Sequence, residues 1–421
     1  MKRAFVNAQL VSGYGGLLIE NGLVIAVGAE VTAAQVSGAE VHDCNGNLLL
    51  PGLIDMRVFT GEPGSEYRET LASASEAAAA GGVTTMIVMP NTNPVIDDAA
   101  MVDFIQRRAR DTAKVRVAPM AAITKGTKGI ELAEMGLMKE AGAVAITDGT
   151  HSVASSALLR RAMIYAKDHD LLVVQHVEDA TLATGVMNSG ERASRLGLAG
   201  NPALAEVIML ERDLRLVEMT GCRYHAAQIS CSESVEVMRR AKARGLPVSC
   251  GVSVNHLTLN ETDIGAYRTF FKLSPPLRCE EDRQALVAGL ADGTIDVIVS
   301  GHDPQSEDTK RLPFAEAAFG AVGLETMLSA ALSIYKNENI SLGRLVQVLS
   351  EGPARLLGLA QGRLDIGAPA DFVLVDAGAS WKVEAASLSS RSKNSPFERR
   401  VLEGRVLETW VAGTKVYAYV G

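Results

Sequence analysis

Between residues 53 and 299 short apolar runs alternate with stretches patterned for helices, and this alternation constrains the fold more than any other feature. The strand-like runs are Leu53–Phe59, Val83–Met89, Val115–Ile123, Ala143–Thr147, Leu171–Val177, Tyr224–Ser230, Pro247–Val254 and Ile295–Val299. Helix-patterned segments follow most of them, near Asp98–Asp111, Ile130–Ala141, Ser155–Asp168, Pro202–Thr220, Ser232–Arg244 and Glu280–Ala291. Strands joined by helices at this spacing imply right-handed crossovers and a parallel sheet. Eight such units in roughly 250 residues match a closed (β/α)8 barrel better than an open sheet.

The two chain ends have a different texture. Residues 1–50 alternate short apolar runs with Gly and Asn turns, and similar runs return at Phe372–Val375, Arg405–Val411 and Thr414–Val420. Neither end has enough strands to bury a sheet alone. The expectation is α/β: a TIM barrel over 51–361, with a small β-sandwich built from residues 1–50 and 362–421.

Composition narrows the function classes. The net charge of −8 lacks the basic excess that nucleic acid or an anionic membrane surface requires. No run of about 18 apolar residues suggests a spanning helix, and no signal peptide is read at the N-terminus. Cys44, Cys222, Cys231, Cys250 and Cys279 are odd in number and never spaced C-x-x-C. They read as free thiols in a reducing cytoplasm.

The strand ends are polar: Asp55 and Arg57, Asn91 and Asn93, Thr124 and Lys125, Asp148, His176 and Glu178, Gln228, Asn255 and His256, His302 and Asp303. Barrel enzymes place their sites at these ends. His42, His151 and His169 read as surface histidines, and His225 as a satisfied core histidine.

The stretch LLLPGLIDMRVFTGEPG, residues 48–64, resembles the amidohydrolase superfamily and, within it, the dihydroorotases. The resemblance continues through GGVTTMIVMPNTNPV (81–95), AVAITDG (143–149), VVQHVED (173–179), YHAAQIS (224–230), VSVNHLTL (252–259), KLSPPLRCEEDRQAL (272–286) and VIVSGHDPQ (297–305). It implies a ring-amide hydrolase of pyrimidine biosynthesis. In such an enzyme one or two zinc ions lower the pKa of a bound water and a carboxylate moves the proton.

The same resemblance shows where this chain departs. Arg57 and Phe59 stand where two metal-binding histidines would be, and Gly61 where a substrate-binding arginine would be. Asn91 matches a substrate-binding asparagine, Asp148 a ligand aspartate and His176 a metal-binding histidine. Gln228 replaces a ligand histidine, Asn255–His256 a pair of histidines, Ser274 an asparagine, Gly301 the catalytic aspartate and Gln305 a last histidine. Two remaining ligands, Asp148 and His176, are too few for a tight zinc site. His302, one residue from the lost aspartate, is expected to face away.

Arg57 is expected to pair with Asp148 and stand in electrostatically for the metal. The alternative has Arg57 in solvent and Asp148 capping a helix. The pocket of Arg57, Phe59, Asn91, Asp148, His176, Gln228, Asn255 and Gly301 is thus read as vestigial, without catalytic residues or cofactor, zinc being the alternative. The implied role is a non-catalytic, cytoplasmic partner of aspartate carbamoyltransferase, itself a homo-oligomer. The competing reading is an active dihydroorotase or related cyclic-amide hydrolase with an altered or single-metal site, or a small-molecule binding protein using the old pocket.

Overall fold

The computed structural model of the chain describes residues 2–34 and 36–420. β1 (Lys2–Leu10) pairs antiparallel with β2 (Gly13–Glu20), and β2 with β3 (Leu23–Gly28). β4 (Glu40–Asp43) and β5 (Leu48–Pro51) run parallel to β1. The apolar run before the Pro-Gly break therefore belongs to the sheet of the chain ends, and the run after it opens the barrel.

The barrel strands are β6 (Leu53–Val58), β7 (Val83–Val88), β8 (Arg116–Pro119) and β9 (Val173–Gln175). A short ladder of β10 (Met187–Asn188) and β11 (Gly200–Asn201) stands on the loop after β9. β12 (Tyr224–Ala226), β13 (Val248–Ser253) and β14 (Val297–Val299) complete the set. All neighbouring pairs are parallel. A bridge between Val58 and His302, with Phe59 N donating to His302 O at 2.9 Å, closes the circle.

The expected fourth strand is reduced. Ile146 alone bridges Ala121 on one side and Val173 on the other. Short bonds from Val144 N to Pro119 O (3.0 Å) and from Ile146 N to Leu172 O (3.0 Å) still carry the ladder across. The fold is thus a TIM barrel with a β-sandwich. β6 and β7 are buried at every residue, which explains why they read as continuous rather than alternating apolar runs.

β15 (Phe372–Lys382) pairs antiparallel with β5 and with β16 (Val401–Val411), and β17 (Thr414–Ala418) follows. Phe5, Phe372 and Trp410 pack into one aromatic cluster, with Phe5 edge-on to Phe372 at 4.7 Å between centroids. Burying aromatic rings edge to face adds to the area removed from water. The Asp371 carboxylate joins the two parts of the chain: it takes Arg116 Nε from β8 at 2.8 Å and Ala412 N at 2.6 Å. Among the described residues no helix is long and apolar enough to cross a membrane.

Candidate functional site

The C-terminal strand ends converge on a cavity of about 280 Å3. β6 contributes Arg57, the loops after β9 and β12 contribute Glu178 and Gln228, the end of β13 contributes Ser253, and the short helix Val254–Thr258 that follows it contributes Asn255. Gly301 and Asp303 follow β14, and Asn201, His256, Leu273 and Phe319 complete most of the wall. Of the eight residues expected to form the pocket, Arg57, Gln228, Asn255 and Gly301 line it; Phe59, Asn91, Asp148 and His176 do not.

The expected Arg57–Asp148 pair does not form. Asp148 turns its carboxylate onto the neighbouring strand end, where Oδ1 accepts from Ile123 N and Thr124 N at 2.9 Å each and Oδ2 from Thr124 Oγ1 at 2.6 Å. Three donors in reach outcompete a side chain that must cross the barrel, so neither a metal-like partner nor a helix cap describes Asp148. Burial raises its pKa, although Thr124 and Ile123 work against the shift.

Arg57 lies in neither solvent nor an ion pair. Its residue is 9% exposed, and Nη1 has no hydrogen-bond partner among the described residues. Burial works against its charge, while Asp303, Asp55 and Glu178 favour it from a distance. All three carboxylates have closer commitments. Asp55 accepts from Ser300 N and Arg57 N, and burial pushes it up to about 6 despite these bonds. Asp303 holds Arg68 Nη2 at 2.6 Å and Gln305 Nε2 at 3.0 Å. Glu178 accepts from Asn201 Nδ2 at 3.2 Å and lies 3.6 Å from His176 Nε2. Burial pulls the Glu178 pKa upward, but His176, Asn201 and Arg278 bring it below the ordinary value.

The other expected residues serve as supports. The Arg68 guanidinium lies over the Phe59 ring at 4.3 Å, so Phe59 steadies the arginine that holds Asp303. Asn91 packs against the turn after Asp148: a Cβ on Gly149 would lie 2.9 Å from Asn91 Oδ1. At Gly61 a side chain would collide with Glu69 O at 2.5 Å and Ser65 O at 2.6 Å, so no arginine fits there in this backbone. Arg278 is buried and tied to Ser230 Oγ, Asn188 Oδ1 and Asn201 O. His302 faces away, with Nε2 3.5 Å from Glu69 Oε2. His225 is a core histidine bonded to Ser249 Oγ at 2.8 Å.

Several wall residues were visible only as polar strand ends. Asn201 and Phe319 carried no sequence signal, because they arrive from the β10–β11 ladder and from a loop far along the chain. His256, expected at a strand end, lies in the middle of the short helix Val254–Thr258. Its Nε2 donates to Pro275 O at 3.1 Å, and burial holds its pKa down to about 4, so the ring is neutral at neutral pH.

Residues 46–234 match a family described as dihydro-orotase-like, and residues 288–417 match an amidohydrolase family. A dihydroorotase of Citrifermentans bemidjiense is 44% identical over 402 residues, covering 95% of this chain and 94% of that protein. A dihydroorotase of an Anaeromyxobacter species is 44% identical over 413 residues, covering 97% and 95%. Among solved structures, an L-hydantoinase (dihydropyrimidinase) from Arthrobacter aurescens superposes with a TM-score of 0.90 at 27% identity, covering 100% of this chain and 98% of that one.

These findings correct the expectation that the chain takes no cofactor. The families matched are typically zinc-dependent, so zinc, the alternative above, is the cofactor implied by the likeness. The donor set does not fit such an ion. Among the described residues no group of three or more His, Cys, Asp or Glu is placed to hold a metal, and zinc needs at least three protein ligands.

Proposed function

We propose, on the premise that this chain belongs to the dihydroorotase family of amidohydrolases, that it serves pyrimidine biosynthesis without turning over dihydroorotate. In this reading it is a cytoplasmic, homo-oligomeric companion that assembles with aspartate carbamoyltransferase or stabilises it. One observation carries the reading: at the positions that the family likeness assigns to ligands and base, the barrel mouth presents a guanidinium, an amide and a bare glycine. Arg57, Gln228 and Gly301 line the cavity, and Asp148 is spent on backbone donors. None of the three can generate hydroxide or shuttle a proton at neutral pH.

A second reading, an active dihydroorotase or related cyclic-amide hydrolase with an altered or single-metal site, is favoured by the names of the relatives. One experiment separates the two. The chain is purified alone and with aspartate carbamoyltransferase, and dihydroorotate turnover, zinc content and co-elution are measured. Co-elution without turnover supports the companion. Turnover with stoichiometric zinc overturns it.

A further inference from the structure

We propose that the connection between β15 and β16, residues 383–400, is a strap by which the β-sandwich sets the opening of the barrel mouth, with Asn394 pinning both wall segments that follow β14. Seating the strap holds those segments at the cavity, and unseating it lets them move. This holds whether or not the chain is catalytic.

The connection is far longer than its hairpin needs. Lys382 and Val401 face each other on the last rung of the β15–β16 ladder, and a hairpin turn takes only about two to five residues. Here Val383 N donates to Arg400 O at 2.9 Å and Arg399 N to Val383 O at 2.7 Å, so the neck is closed and the stretch between runs over the barrel. Val383, Leu388 and Phe397 anchor it in the apolar core. Between the last two anchors the residues alternate: Ser390, Ser392 and Asn394 are buried, while Arg391 and Lys393 are exposed. A segment that buries a polar side chain at every second residue must find a partner for each.

Those partners lie in the loops around the mouth. Ser390 Oγ and Arg391 N donate to the buried Glu69 carboxylate in the loop after β6, the second at 3.0 Å. Ser389 N and Ser390 N donate to Glu325 at 2.8 and 3.1 Å. Ser392 Oγ donates to Arg68 O at 2.7 Å, and Arg68 in turn holds the Asp303 carboxylate and Pro304 O. Asn394 reaches both ends of the loop after β14. Its Oδ1 accepts from Gln305 N at 3.2 Å, its Nδ2 donates to Gly320 O at 3.1 Å, and its backbone O accepts from Val322 N at 3.3 Å. Asp303 and Gly320 line the cavity. Lifting the strap would strip donors from Glu69 and Glu325 and leave Gln305 N and Gly320 O without partners, a cost that keeps strap and wall seated together.

The test is amide hydrogen exchange of the full chain, read at Asp303 and Gly320. Their N–H groups bond to Ala321 O at 2.8 Å and Lys272 O at 3.0 Å, not to the strap, so they report motion of the wall and not merely the deleted bond. Asn394→Ala is expected to speed exchange at both by about tenfold or more. Phe372→Leu, at the opposite end of the β15–β16 ladder, is expected to lower the melting temperature yet leave both amides within about twofold of the wild type. A merely structural role for Asn394 would make the two variants alike. Should Asn394→Ala fail to fold, Ser392→Ala removes only the bond to Arg68 O and is expected to speed Asp303 by about threefold or more while sparing Gly320. Wild-type exchange at both amides in Asn394→Ala, equal acceleration in Phe372→Leu, or wild-type exchange at Asp303 in Ser392→Ala overturns the proposal.

Discussion

Gly301→Ala tests why the eighth strand ends without a side chain. Gly301 lies at φ +64°, the left-handed region, where an L-residue costs roughly 1–2 kcal/mol. A Cβ there would stand 3.0 Å from Ser253 Oγ and 3.3 Å from Gln228 Nε2. Ser253 Oγ is not free to retreat. It accepts from Asn255 N at 3.2 Å as the cap of helix Val254–Thr258, and losing such a cap costs about 0.5–2 kcal/mol. Strain and crowding together predict a loss of about 2–3 kcal/mol for Gly301→Ala. The assay is urea unfolding of the wild type, Gly301→Ala, Ser253→Ala and the double variant. Because both changes act on one contact, the double variant is expected to lose less than the sum, by about 0.5–1 kcal/mol. Gly301→Asp carries the same backbone cost, so writing the family's aspartate back is not expected to restore turnover. Wild-type stability in Gly301→Ala, or strict additivity in the double variant, refutes the reasoning.

Asp148→Asn keeps an oxygen for Ile123 N and Thr124 N but turns its N–H2 toward the Thr124 hydroxyl, which must then accept instead of donate, and the urea midpoint is expected to fall by an amount equivalent to about 1–2 kcal/mol. Phe372→Ala removes the ring between Phe5 and Trp410 and is expected to cost about 3–5 kcal/mol, read from tryptophan fluorescence in denaturant. Burial pushes the Lys310 ammonium down to about 7, with Asp303 opposing and Lys272 assisting. The folded chain then binds fewer protons than the unfolded chain between about pH 7 and the ordinary lysine value, so Lys310 makes stability rise with pH across that window. Lys310→Met is expected to flatten this slope in melting temperature against pH, and equal slopes refute the assignment.

The barrel was legible because its signal is repeated. Seven of the eight apolar runs appear as ladder strands, and the weakest, Ala143–Thr147, keeps only Ile146 as a bridge. The pairing of the chain ends was legible for the opposite reason: neither had enough strands to close a sheet, and β5 against β15 supplies the missing pair. The site was legible only at the level of strand ends. Which polar end faces the cavity depends on local competition that no spacing rule encodes. Asp148 was expected to reach for Arg57, yet two backbone donors and one hydroxyl stood closer. Phe59 was read as a lost ligand, and it is a platform for Arg68. Asn201 and Phe319 come from segments whose arrival at the mouth is a matter of tertiary packing.

The strand-end polar groups fall into two kinds, and the difference separates decay from redeployment. Asp55 ties β6 to Ser300, Asp148 caps a neighbouring strand, and Arg278 ties Ser230 to Asn188 and Asn201; each has its hydrogen bonds filled by the chain. A pocket that had merely lost its chemistry would be expected to end entirely in such filled groups or in apolar ones, because replacing a buried charge with a hydrophobe is often neutral or stabilising. Arg57 is different. Asp303, Asp55 and Glu178 balance its charge from a distance, but charge at a distance does not fill a directional N–H donor. The acceptors of Gln228, Asn255 and His256 are unfilled across the same space.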